Sequence, residues 1–188
     1  MSAVRRRRRT AMALTAAITA LGAWPLTQAV AGPAAPPVPD RIVVDDANKL
    51  FLVAHAVGVQ IYPCNATADG FAWGATTPRA NLYDDGGKLV VTHFGGPTWQ
   101  ARDGSAFVGQ RIDGVTVDPS AIPWLLLKRA SSSVGQDGDR LTGTTFIQRI
   151  NTAGGLPPAA TECNAATAGT KREVAYTDDY AFWKAKDA

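Results

Sequence analysis

The feature that most constrains this chain is the regular spacing of its turn-forming residues. From about Arg41 to Lys184, short runs rich in β-branched and aromatic residues are separated by Gly, Pro, Asn or Asp at intervals of about ten residues. This spacing leaves little room for helices of ordinary length. It predicts an all-β single domain, either an antiparallel barrel or a two-sheet sandwich of about eight strands.

Several segments have the composition of strands. They are KLFLVAHA, VGVQIYPC, GFAWGA, KLVVTHF, TWQAR, SAFVGQRI, PWLLLKR, GTTFIQRI and EVAYTDDYAFWK. Two turns, DDGG at 84–87 and DG at 103–104, place glycine where a tight hairpin needs a positive φ. We therefore expect each turn to join neighbouring antiparallel strands, and the second to pair TWQAR with SAFVGQRI.

The first 31 residues have the pattern of an export signal. The basic run Arg5 to Arg9 precedes a small-apolar stretch that ends at Ala29-Val30-Ala31, the small residues that a signal peptidase recognises. An N-terminal membrane anchor is the alternative, but the apolar stretch is short and broken by Pro25. We predict a secreted, extracellular protein cleaved after Ala31, and leave the Sec and twin-arginine routes both open.

Charge excludes a nucleic-acid partner once that signal is removed. The chain has a net charge of +3, but the signal contains five of its 19 basic residues, which leaves 14 against 16 acidic ones. Residues 32–40 form a Pro-rich tether, and residues 41–188 form the single all-β domain. The mature chain has no apolar stretch long enough for a transmembrane segment.

The two cysteines, Cys64 and Cys163, are expected to form a disulfide, because an exported chain meets an oxidising compartment. A pair of buried thiols is the alternative. A tetrahedral zinc site would need both cysteines and both histidines, His55 and His93, so we expect no metal. No glycine-rich loop for a dinucleotide or a phosphate is present, and no cofactor is expected.

Four motifs occur in a specific order along the domain. They are GVQIYPC at 58–64, HFGGPTWQARDGS at 93–105, IPWLLLK at 122–128 and IQRINTAGGLPP at 147–158. Together they resemble a family of uncharacterised secreted proteins, domain-of-unknown-function family 3455, from about Leu50 to Trp183. The resemblance implies an extracellular β-rich domain with its two motif cysteines paired, and implies no established activity.

Three residues are candidates for catalysis. His93, Asp103 and Ser105 supply an imidazole, a carboxylate and a hydroxyl, the groups of a nucleophilic triad, if the hairpin at 103–104 folds back beside His93. The alternative is architectural, because Asp-Gly-Ser is also the composition of a hairpin turn. His55, between small apolar residues, is interpreted as a partly buried strand residue.

Aromatic and polar residues also suggest a ligand-binding face. Exposed Trp and Tyr rings are suited to a carbohydrate or a small apolar ligand. Of the tryptophans, Trp99 and Trp73 are the more suited to an exposed face and Trp124 to the core, with packing inside the domain as the alternative for Trp99 and Trp73. The predicted ligand-binding residues are Tyr62, His93, Trp99, Asp103 and Arg149. For the polar cluster around Arg149, a structural role with a carboxylate such as Asp103 or Asp113 is favoured.

These observations lead to three functional hypotheses. The first is a binding module or an envelope-associated extracellular module with an aromatic-lined ligand face. The second is a secreted hydrolase that uses His93 with Asp103 or Ser105. The third is a structural coat or matrix protein. The shortage of catalytic groups favours the first, and the sequence assigns neither an enzymatic activity nor an oligomeric state.

Overall fold

A computed structural model describes residues 33–187. The proposed export signal and its cleavage site after Ala31 lie outside the described residues. No helix among the residues described is long and apolar enough to cross a membrane.

Nine strands make up most of the described chain. They are β1 (Asn48–Thr67), β2 (Gly70–Trp73), β3 (Thr77–Tyr83), β4 (Leu89–Phe94), β5 (Thr98–Ala101), β6 (Ala106–Val115), β7 (Trp124–Ser133), β8 (Thr144–Gly154) and β9 (Lys171–Ala185). Two short 3-10 helices, Asp40–Ile42 and Ala160–Glu162, complete the described elements.

The strands form one antiparallel sheet that closes on itself. Strands β3 to β9 pair in chain order, β1 pairs with β3 on one side, and β1 also pairs with β9 from Asn48 to Pro63. Strand β2 pairs only with the end of β1. Eight strands therefore form a closed barrel, which confirms the all-β fold and decides between barrel and sandwich.

The strand boundaries differ from the sequence prediction in two places. KLFLVAHA and VGVQIYPC form the single strand β1, because its central residues pair with β9 without a turn. Strand β3 was not predicted, since TPRANLY contains Pro, Arg and Asn, which have low strand propensity. Pairing with β1 on one side and β4 on the other overrides that local preference.

Both predicted hairpins are present. Strands β3 and β4 are joined through residues 84–87, where Gly87 has a φ of 75°. Strands β5 and β6 are joined through residues 102–105, where Gly104 has a φ of 85°. Glycine adopts these left-handed conformations without the steric cost of a Cβ atom.

The barrel interior is the main core, built from alternate residues of each strand. Large interior side chains of β9 face small residues of β1 across the closing pair. Tyr180 lies opposite Ala54, and Tyr176 lies opposite Gly58. A Cβ atom on Gly58 would lie 2.3 Å from the carbonyl oxygen of Arg79, so no larger residue fits there.

A second apolar cluster lies on the outer face of the barrel. The N-terminal segment crosses β7 to β9 there and buries Ile42 completely. Gln148 fixes this segment, since its Nε2 donates a 2.6 Å hydrogen bond to the carbonyl oxygen of Ile42. The Oε1 of Gln148 accepts a hydrogen bond from Trp183 Nε1. Trp124, expected in the core, is partly buried against this cluster.

The predicted disulfide between Cys64 and Cys163 is confirmed. It joins β1 to the segment that precedes β9, across a sequence separation of 99 residues. We call the end of the barrel where β1 reaches Cys64 and β9 begins the disulfide end.

Candidate binding site

A cavity of about 120 Å³ lies at the disulfide end of the barrel, among the interior side chains of seven strands and the turns beside them. Its lining is partly apolar and partly polar. The lining residues are Gln60, Thr76, Pro78, His93, Pro97, Trp99, Leu125, Leu127, Arg149 and Tyr180. Three of the five predicted ligand-binding residues, His93, Trp99 and Arg149, are therefore brought together here.

His93 is held as a neutral imidazole. It is 4% exposed, and its Nδ1 lies 2.9 Å from the carbonyl oxygen of Thr98. Because a carbonyl oxygen only accepts hydrogen bonds, Nδ1 bears the proton and Nε2 keeps its lone pair. Burial lowers the pKa of His93 to about 3, an effect that the bond to Thr98 opposes. His93 therefore contributes no charge to the cavity at neutral pH.

Trp99 forms one wall of the cavity and is not the exposed ring that the sequence suggested. It is 1% exposed and stacks on His93, with ring centroids 4.0 Å apart and planes 11° apart. Tyr180 meets both rings edge-on, at 5.3 Å from each. The expectation of an exposed Trp99 is wrong because closure of the barrel turns this face of β5 toward the interior.

Among the described residues, Arg149 is the only cationic one that lines the cavity. Its Nε and Nη2 both donate to the carbonyl oxygen of Pro123, at 3.1 and 2.8 Å. No carboxylate within residues 33–187 forms a salt bridge with it. The carboxylate partners suggested for it are absent, since Asp113 pairs with Arg41 and Asp103 lies at the opposite end of the barrel.

Two buried N–H groups on the cavity lining lack hydrogen-bond acceptors among the described residues. They are the Nε2 of Gln60 and the Nε1 of Trp99. Most buried polar groups in folded proteins are paired, because leaving one unpaired costs its full desolvation energy. Both groups are donors that the acceptor of a polar molecule in the cavity would satisfy.

Asp178 adds a buried carboxyl group to the same interior. It lies on β9 between Tyr176 and Tyr180 and is 3% exposed. Burial raises the pKa of Asp178 to about 8, although the nearby positive charge of Arg149 and a hydrogen bond with Tyr180 act to lower it. The carboxyl group is therefore predominantly protonated at neutral pH.

Tyr62 lies next to the cavity without lining it. Its buried hydroxyl donates a 2.7 Å hydrogen bond to the carbonyl oxygen of Gly155. This bond fixes the segment that follows β8 across the disulfide end of the barrel. Burial raises the pKa of Tyr62 above its usual value, so the hydroxyl stays protonated.

Asp103 and Ser105 lie at the other end of the barrel and do not meet His93. Ser105 Oγ donates to Asp103 Oδ1 at 2.6 Å and accepts from the backbone N–H of Leu141. By strand geometry the backbones of Ser105 and His93 are roughly 12 Å apart, two residues along and two strands across. The structure does not bring the three candidate catalytic residues together.

Three deeply buried polar residues of this interior were missed as site residues by the sequence analysis. Gln60, Asp178 and Tyr180 were assigned to strands only. A usable signal was present in YTDDY, because alternate residues of a strand share a face. That rule places Asp178 on the same face as two tyrosines, which is unusual for a face that packs inside a barrel.

A further titratable residue, His55, lies on the outer face of the barrel between two carboxylates. His55 is exposed on β1, where its ring nitrogens contact Asp179 at 2.6 Å and Asp85 at 2.9 Å. Its predicted partial burial is therefore wrong. Hydrogen bonds to Asp85 and then to Asp179 raise the pKa of His55. Within residues 33–187, no cluster of His, Cys, Asp and Glu is arranged to hold a metal ion.

Comparison with known families agrees with this architecture. Residues 45–184 match the family described as "Protein of unknown function (DUF3455)". The chain belongs to this family. No curated protein and no solved structure matches the chain. The family assignment covers the whole barrel except the last residue of β9, and it assigns no activity.

Proposed function

We propose that this DUF3455 protein is a binding module that takes one small molecule into the cavity at the disulfide end. An eight-stranded barrel is wide enough either to be filled by side chains or to hold one small ligand. In this barrel, packed side chains fill the interior between the cavity and the end opposite the disulfide, and the cavity leaves space for one small molecule.

The observation that supports this proposal is the set of unpaired polar groups on the cavity lining. The Nε2 of Gln60 and the Nε1 of Trp99 are buried N–H groups without a partner in the described part of the chain. A bound molecule with hydrogen-bond acceptors would satisfy them and recover the desolvation cost. A purely structural barrel gains nothing from such groups.

The ligand that this cavity favours is smaller and more polar than the sequence suggested. A volume of about 120 Å³ suits a single ring rather than an extended carbohydrate chain. The unpaired N–H groups also disfavour a purely apolar ligand. The hydrolase is disfavoured because Ser105 and His93 are hydrogen-bonded to different partners. No observation of comparable weight favours the coat protein.

We further propose that the protein works outside the cytoplasm, after export and cleavage behind Ala31. The disulfide between Cys64 and Cys163 supports this location, because such bonds persist in oxidising compartments. The basic run and the apolar stretch within residues 1–31 support a signal peptide.

Indole N–H resonances provide a direct test of binding. Trp73 and Trp183 donate their Nε1–H groups to protein oxygens, whereas Trp99 does not. A library of small ring compounds with and without polar groups is titrated into ¹⁵N-labelled protein. We expect binders to shift the Trp99 signal and to leave the Trp73 and Trp183 signals in place.

A variant that fills the cavity provides the control. Leu125→Phe adds volume at the cavity wall and should abolish the shifts, whereas Val134→Phe, at an exposed position, should leave them unchanged. The proposal is wrong if no compound in the library moves the Trp99 signal, or if the shifts persist in a folded Leu125→Phe protein.

A further inference from the structure

We infer that the ligand of the cavity is a small monocarboxylate, with a planar or compact apolar body, whose carboxylate binds Arg149. This inference rests on the proposed function and names the chemical class of the ligand.

The charge balance of the site is the first argument. Arg149 is half-buried, and no carboxylate of the described residues forms a salt bridge with it. Its two hydrogen bonds to Pro123 leave Nη1 without an acceptor among those residues. A guanidinium in such surroundings is best paired by a carboxylate, with which it forms strong charge-assisted hydrogen bonds.

Within residues 33–187, no other residue of the barrel interior cancels the charge of Arg149 at neutral pH. Burial holds His93 neutral and keeps the carboxyl group of Asp178 protonated. Burial also raises the pKa of Tyr176 and of Tyr180, so both hydroxyls stay neutral. One uncompensated positive charge favours a ligand with one negative charge, and it would leave a dianion such as phosphate partly uncompensated.

The other free groups also match a carboxylate. The unpaired Nε2 of Gln60 and Nε1 of Trp99 are hydrogen-bond donors, and a carboxylate offers only acceptors. An ammonium ligand would place its donors against these donors and its charge against Arg149. The lining thus discriminates by sign of charge as well as by hydrogen bonding.

The remaining walls accommodate the body of the ligand. Pro78, Pro97, Leu125 and Leu127 line the cavity beside the stacked rings of His93 and Trp99. These residues offer apolar contact, and the volume of about 120 Å³ limits the body to about one six-membered ring. Benzoate is therefore a suitable probe, and benzamide is its neutral counterpart of nearly equal shape.

The test measures the affinities of benzoate and benzamide by calorimetry and by the indole N–H signal of Trp99. We expect benzoate to bind at least about tenfold more tightly at pH 7, because hydrogen bonds to charged groups are stronger than those between neutral groups. Acetate and cyclohexanecarboxylate extend the series to smaller and non-aromatic bodies.

Arg149→Gln should remove the preference for benzoate. Arg79→Gln is the matched control, because Arg79 lies on β3 in an exposed salt bridge with Glu173, and it should bind benzoate like the wild type. Since Arg149 also holds Pro123, the variant is checked for folding by circular dichroism before its affinity is interpreted.

The pH dependence gives a second test that needs no change at Arg149. The titratable groups that face Asp178 are Tyr176 and Tyr180 on β9 and Arg149 on β8, and Asp179 lies on the outer face. Ionisation of Asp178 above about pH 8 places a negative charge near the ligand. The affinity for benzoate should then fall several-fold between pH 7 and pH 9, and Asp178→Asn should remove this fall.

The outcomes separate the ligand class from the proposed function. Equal binding of benzamide and benzoate at the Trp99 signal overturns the monocarboxylate and leaves the binding module in place. If neutral rings shift the Trp99 signal but none of the carboxylates binds, the monocarboxylate is likewise overturned and the binding module stays in place. Absence of any shift from all compounds overturns both. A pH-independent affinity in the wild type contradicts the inferred position of the carboxylate.

Discussion

Inside the barrel, His93 and Asp178 are kept neutral by pKa shifts in opposite directions. Burial disfavours the charged form of each group, so the pKa of His93 falls to about 3 and that of Asp178 rises to about 8. Arg149 stays charged because a guanidinium group does not lose its proton inside a protein. The interior thus holds one full charge near neutral pH, at the cavity that we propose as the binding site.

At this scale we predict that Asp178→Asn stabilises the protein at alkaline pH. Between about pH 4 and pH 8 the unfolded chain releases the proton that folded Asp178 retains, so wild-type stability falls as pH rises. Asn cannot ionise and does not incur this cost. Urea unfolding should show a gain on the order of a few kcal/mol at pH 8 and almost none at pH 4.

Two details make that measurement specific. His93 acts in the opposite direction, since its lowered pKa makes stability rise with pH between about 3 and 6.5, but it does so equally in both proteins. Asp69→Asn, which makes the same replacement in an exposed turn, is the control and should not reproduce the gain that Asp178→Asn shows at pH 8. A gain from Asp178→Asn that is constant with pH would contradict the raised pKa.

At the scale of elements, the turn after β5 holds the loop around Arg140 and Leu141 in place by hydrogen bonds. Asp103 Oδ1 accepts hydrogen bonds from the backbone N–H and the hydroxyl of Ser105. Its Oδ2 accepts from the backbone N–H of Arg140, and Ser105 Oγ accepts from that of Leu141. Two of the three residues proposed for catalysis, Asp103 and Ser105, thus close the end of the barrel away from the cavity.

We predict that Asp103→Ala lowers the free energy of unfolding by about 1–3 kcal/mol, because it leaves the part-buried N–H and hydroxyl of Ser105 without their acceptor. Amide exchange of Arg140 and Leu141 should accelerate, while that of the strands near the cavity should not. Asp118→Ala is the control, since Asp118 makes the same bonds to Ser120 in an exposed turn that joins no second segment. An equal effect of both substitutions would show that Asp103 does not tie the loop.

At the scale of the whole molecule, the barrel is closed by pairing between its first and last strands. Strand β1 pairs with β9 along 15 residue pairs from Asn48–Ala185 to Pro63–Lys171. These contacts are distant in sequence, so the unfolded chain loses much entropy when it forms them. The disulfide between Cys64 and Cys163 links the same two ends of the domain and reduces that loss.

Replacement of both cysteines by serine should therefore lower stability substantially. The chain-entropy model gives about 4–5 kcal/mol for a closed loop of about 100 residues. Denaturant unfolding of the double variant, compared with the wild type before and after reduction, measures the effect. A loss below about 1 kcal/mol would mean that the unfolded chain is already compact around these residues.

Local chemistry explains why the strands and hairpins were predictable. Gly87 and Gly104 occupy positive-φ positions that few other residues tolerate, so their turns were visible in the sequence. Strand β3 was not visible, because Pro78 and Arg79 acquire their strand conformation only through pairing on both sides.

The candidate site was only partly predictable for a related reason. His93, Trp99 and Arg149 were expected to bind a ligand, but on an exposed aromatic face. Whether a strand's face points inward or outward depends on the direction in which the sheet closes. Asp103 is close to Trp99 in sequence, yet two residues past the end of β5 it reaches the opposite end of the barrel.

The sequence by itself determined the all-β class, two hairpins and the cysteine pairing, since these depend on alternation, turn residues and residue counts. Only the tertiary structure decided that the sheet closes, that Trp99 and His93 face inward, and that Gln60 and Arg149 line one cavity with them. The physical reason is that closure pairs β1 with β9, residues more than a hundred positions apart. No local propensity specifies such a contact.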